Sequence, residues 1–215
     1  MPLLAYCITE ARSELAIPAA GVGSMPVKAV IAGPLQCFVS HFESGSIEGK
    51  TTIRESALEF HRTVQELFRQ VAVVPFRFPT ILGDENEISA FLAEHSSEYE
   101  NALLRLRDAV QMEIRIEERE VASPPAASGT EYLRQRLSSH KNIAETALRF
   151  QHASEEWVRE WRQRETPSGL RCYALLTREH LESFLTSMKE IPVAPGQTAR
   201  VTGPWPATEF LKVNK

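Results

Sequence analysis

Residues Ser44 to Thr52, SGSIEGKTT, are the stretch of this sequence that resembles phosphate chemistry. A P-loop wraps phosphate oxygens in backbone N–H groups, and it needs a glycine five residues ahead of the glycine in its GK[ST] end. Ser44 holds that position, Gly45 is one residue too close, and Glu48 sets a negative charge where phosphate would lie. No apolar strand ending in aspartate stands ready as a magnesium ligand. Two readings follow. One is a nucleotide-binding or hydrolysing enzyme built on a degenerate loop. The other is a glycine-rich loop whose Thr51 or Thr52 caps the next helix, and the spacing favours it. A titration with ATP and magnesium, followed by thermal stability, separates the two.

The remaining reactive side chains are scattered. His41, His61, His95, His140, His152 and His180 never fall in HxH or HxxxH spacing. His61 and His95 lie on or beside apolar helical stripes and read as partly buried packing residues rather than ligands. Cys7, Cys37 and Cys172 are odd in number, far apart and without CxxC spacing, which predicts buried, reduced thiols in a cytoplasmic protein. Glu117 and Glu118 point to opposite faces of an expected strand, so they cannot share acid–base work. No nucleophile elbow or HExxH motif is present. The expectation is a protein with no catalytic residues, no metal and no cofactor.

The bulk composition is ordinary for a globular protein. A formal net charge of -4 leaves no electrostatic footprint for nucleic acid. The arginines read as spread along helices beside glutamates, a solvated face rather than a patch. With 43% hydrophobic and 24% charged residues the chain can build a packed core, and 215 residues suit one large domain or two small ones. No apolar run approaches the ~18 residues of a membrane span. The start, MPLLAYCITEAR, lacks a basic region and is interrupted by Glu10 and Arg12, so no signal peptide is expected.

Periodicity then supplies the elements. Residues 3–8, 27–32 and 35–42 read as strands, the last two joined by a hairpin at Ala32-Gly33-Pro34. Residues 53–71 carry Ala57, Phe60, Val64, Leu67, Phe68 and Val71 at helical spacing. In VAVVPFRFPT, Val74, Phe76 and Phe78 are expected on one face of a strand and Arg77 on the other. Asp84 and Glu87 form a capping box for a long amphipathic helix with the stripe Ile88, Phe91, Leu92, His95, Tyr99, Leu103, Leu106 and Val110. Met112, Ile114 and Ile116 alternate with charges along a strand.

The second half opens after ASPPAASG, Ala122 to Gly129, the clearest linker-like segment. Ser128 and Glu131 can cap a helix with Leu133, Leu137, Ile143, Ala144, Ala147 and Leu148 inward. EEWVREWRQRE, residues 155–165, could extend that helix or form a polar edge strand alternating Trp157, Arg159 and Trp161. The turn-forming TPSG at 166–169 favours the strand. A strand at 170–177, a helix at 180–189 and a strand at 198–202 complete a β-α-β-β-α-β order, the ferredoxin-like pattern. The fold class is therefore α+β with two domains. Residues 1–108 form a small mixed α/β sheet domain with its connecting helix. Residues 109–215 form a modified ferredoxin-like domain with a terminal GPWP segment.

Two segments are built to hold a surface still. Arg77 lies between Phe76 and Phe78 just after Pro75; it either pairs with an acidic helix or serves as a fixed arginine recognising a partner at the domain junction. In TGPWPATEF, Pro204 and Pro206 cannot donate ladder hydrogen bonds, so sheet pairing is expected to stop at Gly203. Trp205 is thereby held in an extended, stiff segment, to close the core of its own domain or to anchor a partner.

These two segments carry a resemblance. VVPFRFPTILGDE followed by a long amphipathic helix, with TGPWP near the end, resembles the gas vesicle protein F/L family. Its members show a PFRFGT-like stretch, a G-x-x-YL and a terminal GPWPPYSF-like motif. The counterparts here are Pro75 to Thr80, Gly129 with Tyr132 and Leu133, and Gly203 to Phe210. LRCYALLTREHLESF is similar to the family's strand and helix leading to the last strand, and the likeness runs in order over essentially the whole chain. Pro79 replaces a glycine, Ala207-Thr208-Glu209 replace Pro-Tyr-Ser, and the strand at 110–119 is more acidic than usual. The resemblance implies a cytoplasmic, non-catalytic accessory protein of gas vesicle formation. It would bind the small hydrophobic shell protein, and other accessory proteins, through Phe76, Arg77, Phe78, Gly203, Pro204, Trp205 and Pro206. A scaffold of an unrelated assembly is the other non-enzymatic reading.

Overall fold

The computed structural model describes residues 1–42, 50–118 and 128–211. The fold is α+β with two antiparallel sheets, and the chain divides into two compact units. The first takes Met1–Asp108 and the chain from Pro206 onward; the second takes Ala109–Trp205. The sequence order alone groups residues 206–215 with the second half. Ala207 and Phe210 are instead buried in the first unit, and Arg105 donates from Nη1 to the Phe210 carbonyl at 3.1 Å.

In the first unit, β1 (Leu3–Glu10), β2 (Lys28–Ala32), β3 (Leu35–His41) and β4 (Val74–Pro75) form a sheet in the order β2-β3-β1-β4, and β5 (Ile81–Leu82) also pairs with β1. Gly33, at φ 58°, makes the tight turn between β2 and β3. Three helices cover this sheet: α1 (Lys50–Phe68), α2 (Glu85–Glu94) and α3 (Ser96–Arg105). Ile88 and Leu92 of α2 and Tyr99 and Leu103 of α3 bury against Leu3, Ala5, Ile8, Cys37 and Val39 on one face. Asp84 caps α2 by accepting from the amides of Asn86 and Glu87, and the Glu87 carboxylate accepts from the Gly83 amide. The expected long connecting helix is thus two short helices packed on the sheet. The break is at His95, whose backbone leaves helical geometry and whose Nδ1 lies 3.0 Å from the Phe91 carbonyl. His95 packs between Phe91 and Tyr99, whereas His61, expected to be partly buried, is exposed.

On the other face Tyr6 organises the packing. It is the extra residue of a β-bulge between Ala5 and Cys7. Its ring stacks on Phe60 of α1 at 5.1 Å. Its hydroxyl lies 2.8 Å from Ser40 Oγ and accepts the Val22 amide at 2.8 Å. Burial of this fully enclosed phenol pushes its ionisation up. Gly21 passes so close that a Cβ there would lie 2.1 Å from the Tyr6 oxygen. Tyr6→Phe leaves the Val22 amide and the Ser40 hydroxyl without that partner, at a cost of about 2 kcal/mol. A urea titration checks this; an unchanged midpoint would show that the hydroxyl contributes nothing.

The second unit contains β6 (Ala109–Glu118), α4 (Gly129–Ser154), β7 (Val158–Thr166), β8 (Gly169–Thr177), α5 (Leu181–Glu190) and β9 (Gln197–Trp205). Its sheet order is β7-β8-β6-β9, antiparallel throughout. Residues 158–166 are the edge strand that the TPSG turn predicts. Met112, Ile114 and Ile116 are fully buried with Cys172, Ala174, Phe150 and Phe184. The inward stripe of α4 is partly as expected: Ile143 and Ala147 are buried, but with Thr146 and Phe150 beside them, while Ala144 and Leu148 are exposed. Both sets have i, i+4 spacing, and a one-residue offset turns a helix by 100°. Phe150 is the largest side chain in the competition, and Thr146 Oγ1 donates to Gln197 Oε1 at 2.7 Å, so burial of that hydroxyl is compensated. Leu133, Leu137 and Glu131 lie outside the described side chains, as does the linker at 122–127.

Cys7, Cys37 and Cys172 are buried free thiols. Burial raises Cys37 and Cys172 to about 12 and Cys7 well above its ordinary value. The reacting species is the thiolate. Native protein at pH 8 should therefore resist an aromatic disulfide reagent, and denatured protein should release three equivalents. Rapid labelling of the native chain would contradict this burial.

Candidate functional site

The PFRF segment is an excursion from a sheet edge. Val74 and Pro75 pair with β1, the Phe76 amide donates to the Tyr6 carbonyl at 2.9 Å, and the Ala5 amide donates to the Thr80 carbonyl at 2.9 Å. Between these anchors, residues 77–79 leave the ladder, with a cis peptide at Phe78-Pro79, and Thr80 Oγ1 donates to the Arg77 carbonyl at 2.6 Å. The expected strand is therefore only two residues long here, and Phe76 and Phe78 do not share a face. Phe76 packs near Phe91 of α2 at 6.1 Å, whereas Phe78 lies 5.3 Å from Phe60 of α1. The excursion lets the two rings straddle the sheet edge. Arg77 stands exposed between them. Two half-buried rings immobilise the backbone that carries one guanidinium, which can grip a carboxylate or a row of carbonyls.

The GPWP segment corrects a second expectation. Pairing does not end at Gly203: after an irregularity opposite Met112, Trp205 pairs with Gln111. Pro204, joined to Gly203 by a cis peptide, is tolerated because β9 is the outer strand of its sheet. Gly203 is required where it is. Its φ is 131°, and a Cβ would sit 2.7 Å from Met112 Sδ and 2.9 Å from the Gln111 carbonyl oxygen. Trp205 is half-buried, with Nε1 3.5 Å from Thr202 Oγ1, and Pro206 is buried. Of the seven predicted residues, Phe76, Arg77, Phe78 and Pro206 belong to the first unit and Gly203, Pro204 and Trp205 to the second.

Sequence reasoning missed one constellation. Arg115, Arg164, Arg171 and Arg200 are not on helices; they occupy four strands of the second sheet at matching register. They are far apart in the chain, and only the strand pairing aligns them. Among the described residues no group of His, Cys, Asp and Glu is placed to hold a metal ion, and no helix is long and apolar enough to cross a membrane. The P-loop-like stretch at 44–49, with the side chains of Lys50 and Thr51, lies outside the described residues.

What fold and surfaces define is an α+β protein of two sheet-based units, each holding aromatic and arginine side chains at strand edges. The model of the family described as gas vesicle synthesis protein GvpL/GvpF matches residues 2–212, and the chain belongs to that family. It is similar to the crystal structure of the gas vesicle protein GvpF from Anabaena sp. PCC7120, with a TM-score of 0.81 and 12% identity, covering 100% of this chain and 97% of that one. It is also similar to the crystal structure of GvpF from Microcystis aeruginosa, with a TM-score of 0.80 and 11% identity, covering 99% of each chain. No curated protein matches the sequence.

Proposed function

We propose that this chain is a non-catalytic accessory protein of gas vesicle formation that binds the small hydrophobic shell protein during assembly. The observation that carries the reading is the family match across residues 2–212. Physical chemistry gives the role a rationale. Subunits destined for a gas-facing wall expose apolar surface before they assemble, and such surface aggregates unless a water-soluble partner covers it. In this reading the protein is cytoplasmic and vesicle-associated, and it works beside other gas vesicle accessory proteins. Its two units are domains meeting near residue 108, the second a modified ferredoxin-like fold; the strand order β7-β8-β6-β9 supports that assignment.

The contact residues are Phe76, Arg77 and Phe78 on the sheet-edge excursion and Gly203, Pro204, Trp205 and Pro206 on the terminal segment. The test is co-purification of the full chain with the shell protein. Wild-type protein should retain it, and Arg77→Glu should retain roughly fivefold less with an unaltered melting curve, the loss typical of one interface contact worth about 1 kcal/mol. Trp205→Ala should lower retention by the folded fraction. Failure of the wild-type chain to retain shell protein overturns the reading; normal retention by both variants overturns the contact assignment alone.

A further inference from the structure

Four arginines cross the second sheet in one row. Arg164 of β7 stands opposite Arg171 of β8, Arg171 opposite Arg115 of β6, and Arg115 opposite Arg200 of β9. Directly opposed residues of an antiparallel ladder share a face. The neighbours of Arg115, Ile114 and Ile116, are fully buried on the side that packs against α4, so the arginines rise from the other side. With strands about 4.8 Å apart, the row is about 14 Å long.

Like charges in direct opposition destabilise a sheet. Within the fold an acidic and an aromatic side chain stand beside the row. Glu113 lies 3.2 Å from the Arg115 guanidinium and 3.7 Å from that of Arg171, so one carboxylate serves both inner arginines. The Arg164 guanidinium lies 5.8 Å from the centre of the Tyr173 ring. The outer pair, Arg164 and Arg200, is exposed. The arrangement matches an anionic partner.

We propose that this row docks an acidic helical segment of a protein partner, laid across the strands. Helical positions i, i+3, i+7 and i+10 rise about 4.5, 10.5 and 15 Å along the axis, close to the row's steps of about 4.8, 9.6 and 14.4 Å. Each guanidinium fork can take a carboxylate bidentately. Charge complementarity selects a peptide over nucleic acid. Glu113 and Glu117 stand on the same face, and the chain is net negative at -4. A continuous phosphate backbone meets repulsion there that spaced carboxylates avoid. None of the residues assigned above to shell-protein contact belongs to this row.

The test uses the full chain and a labelled, alanine-based helical peptide with glutamate at those four positions, followed by fluorescence anisotropy. The glutamate peptide should bind at least tenfold more tightly than its glutamine counterpart and more weakly as salt rises. Arg164→Glu with Arg200→Glu should weaken binding at least tenfold while the melting midpoint stays at the wild-type value. If that pair fails to fold, Arg164→Gln with Arg200→Gln is read in the same titration and should lose at least threefold. Equal binding of the two peptides, undiminished binding by the variants, or no binding overturns the proposal. So does tighter binding of a single-stranded oligonucleotide, or self-association of the chain that the variants abolish.

Discussion

Phe210→Ala should destabilise the first unit by about 3–5 kcal/mol, the range for emptying an aromatic site in a packed core. Phe210 is fully buried, five residues after β9 ends at Trp205, and its carbonyl accepts from Arg105. For a unit of this size the loss corresponds to a fall in melting midpoint of more than about 12 °C. Trp205→Ala serves as the internal comparison. Trp205 is larger but only half-buried, so its truncation should cost markedly less, about 1–2 kcal/mol. Thermal unfolding of the two variants side by side decides the matter. Equal losses would mean that the tryptophan, not the phenylalanine, closes the end of the chain, and that the tail from Pro206 onward is not integral to the first unit.

Gly169→Ala should be nearly as damaging, for a different reason. The residue closes the β7–β8 hairpin with φ at 155°, and a Cβ there would lie 2.1 Å from the carbonyl oxygen of Ile116 on the neighbouring strand. That oxygen is backbone and cannot rotate away. The substitution must shift the register of β6 against β8 or leave an L-residue in a region reserved for glycine, at about 3 kcal/mol or more. The readouts are the denaturation midpoint and amide exchange along β6 and β8, where protection should fall. The same change tests the arginine row, because Arg115 and Arg171 are opposed in this ladder. A variant with wild-type stability and protection would show that the close approach is relieved at no cost.

The two corrections to the family-like segments have a common origin. In VAVVPFRFPT the alternation of Val74, Phe76 and Phe78 is real in the sequence, yet the segment leaves β1 between Phe76 and Thr80, so the rings reach Phe91 and Phe60 on different helices. In TGPWP the prolines do interrupt pairing, yet β9 is an outer strand, so the ladder can resume at Trp205. Composition announces an irregularity; it does not say how a neighbouring strand accommodates it.

Most elements of this protein are determined by the sequence acting locally. Turn chemistry at Gly33 and at Thr166 to Gly169, the Asp84 cap, and the periodicities read over 53–71, 110–119 and 170–177 each operate within a few residues, and α1, β6 and β8 lie there within a few residues at their ends. The family, too, is written in short motifs that keep their order. Tertiary structure alone decided which phase of α4 faces inward, that the helix after Asp84 breaks at His95, that the tail joins the first unit, and that four arginines from distant positions meet in a row. Those outcomes depend on strand register and on competition between side chains far apart in the chain. No local propensity encodes them, because a shift of one residue reverses every face while leaving the composition unchanged.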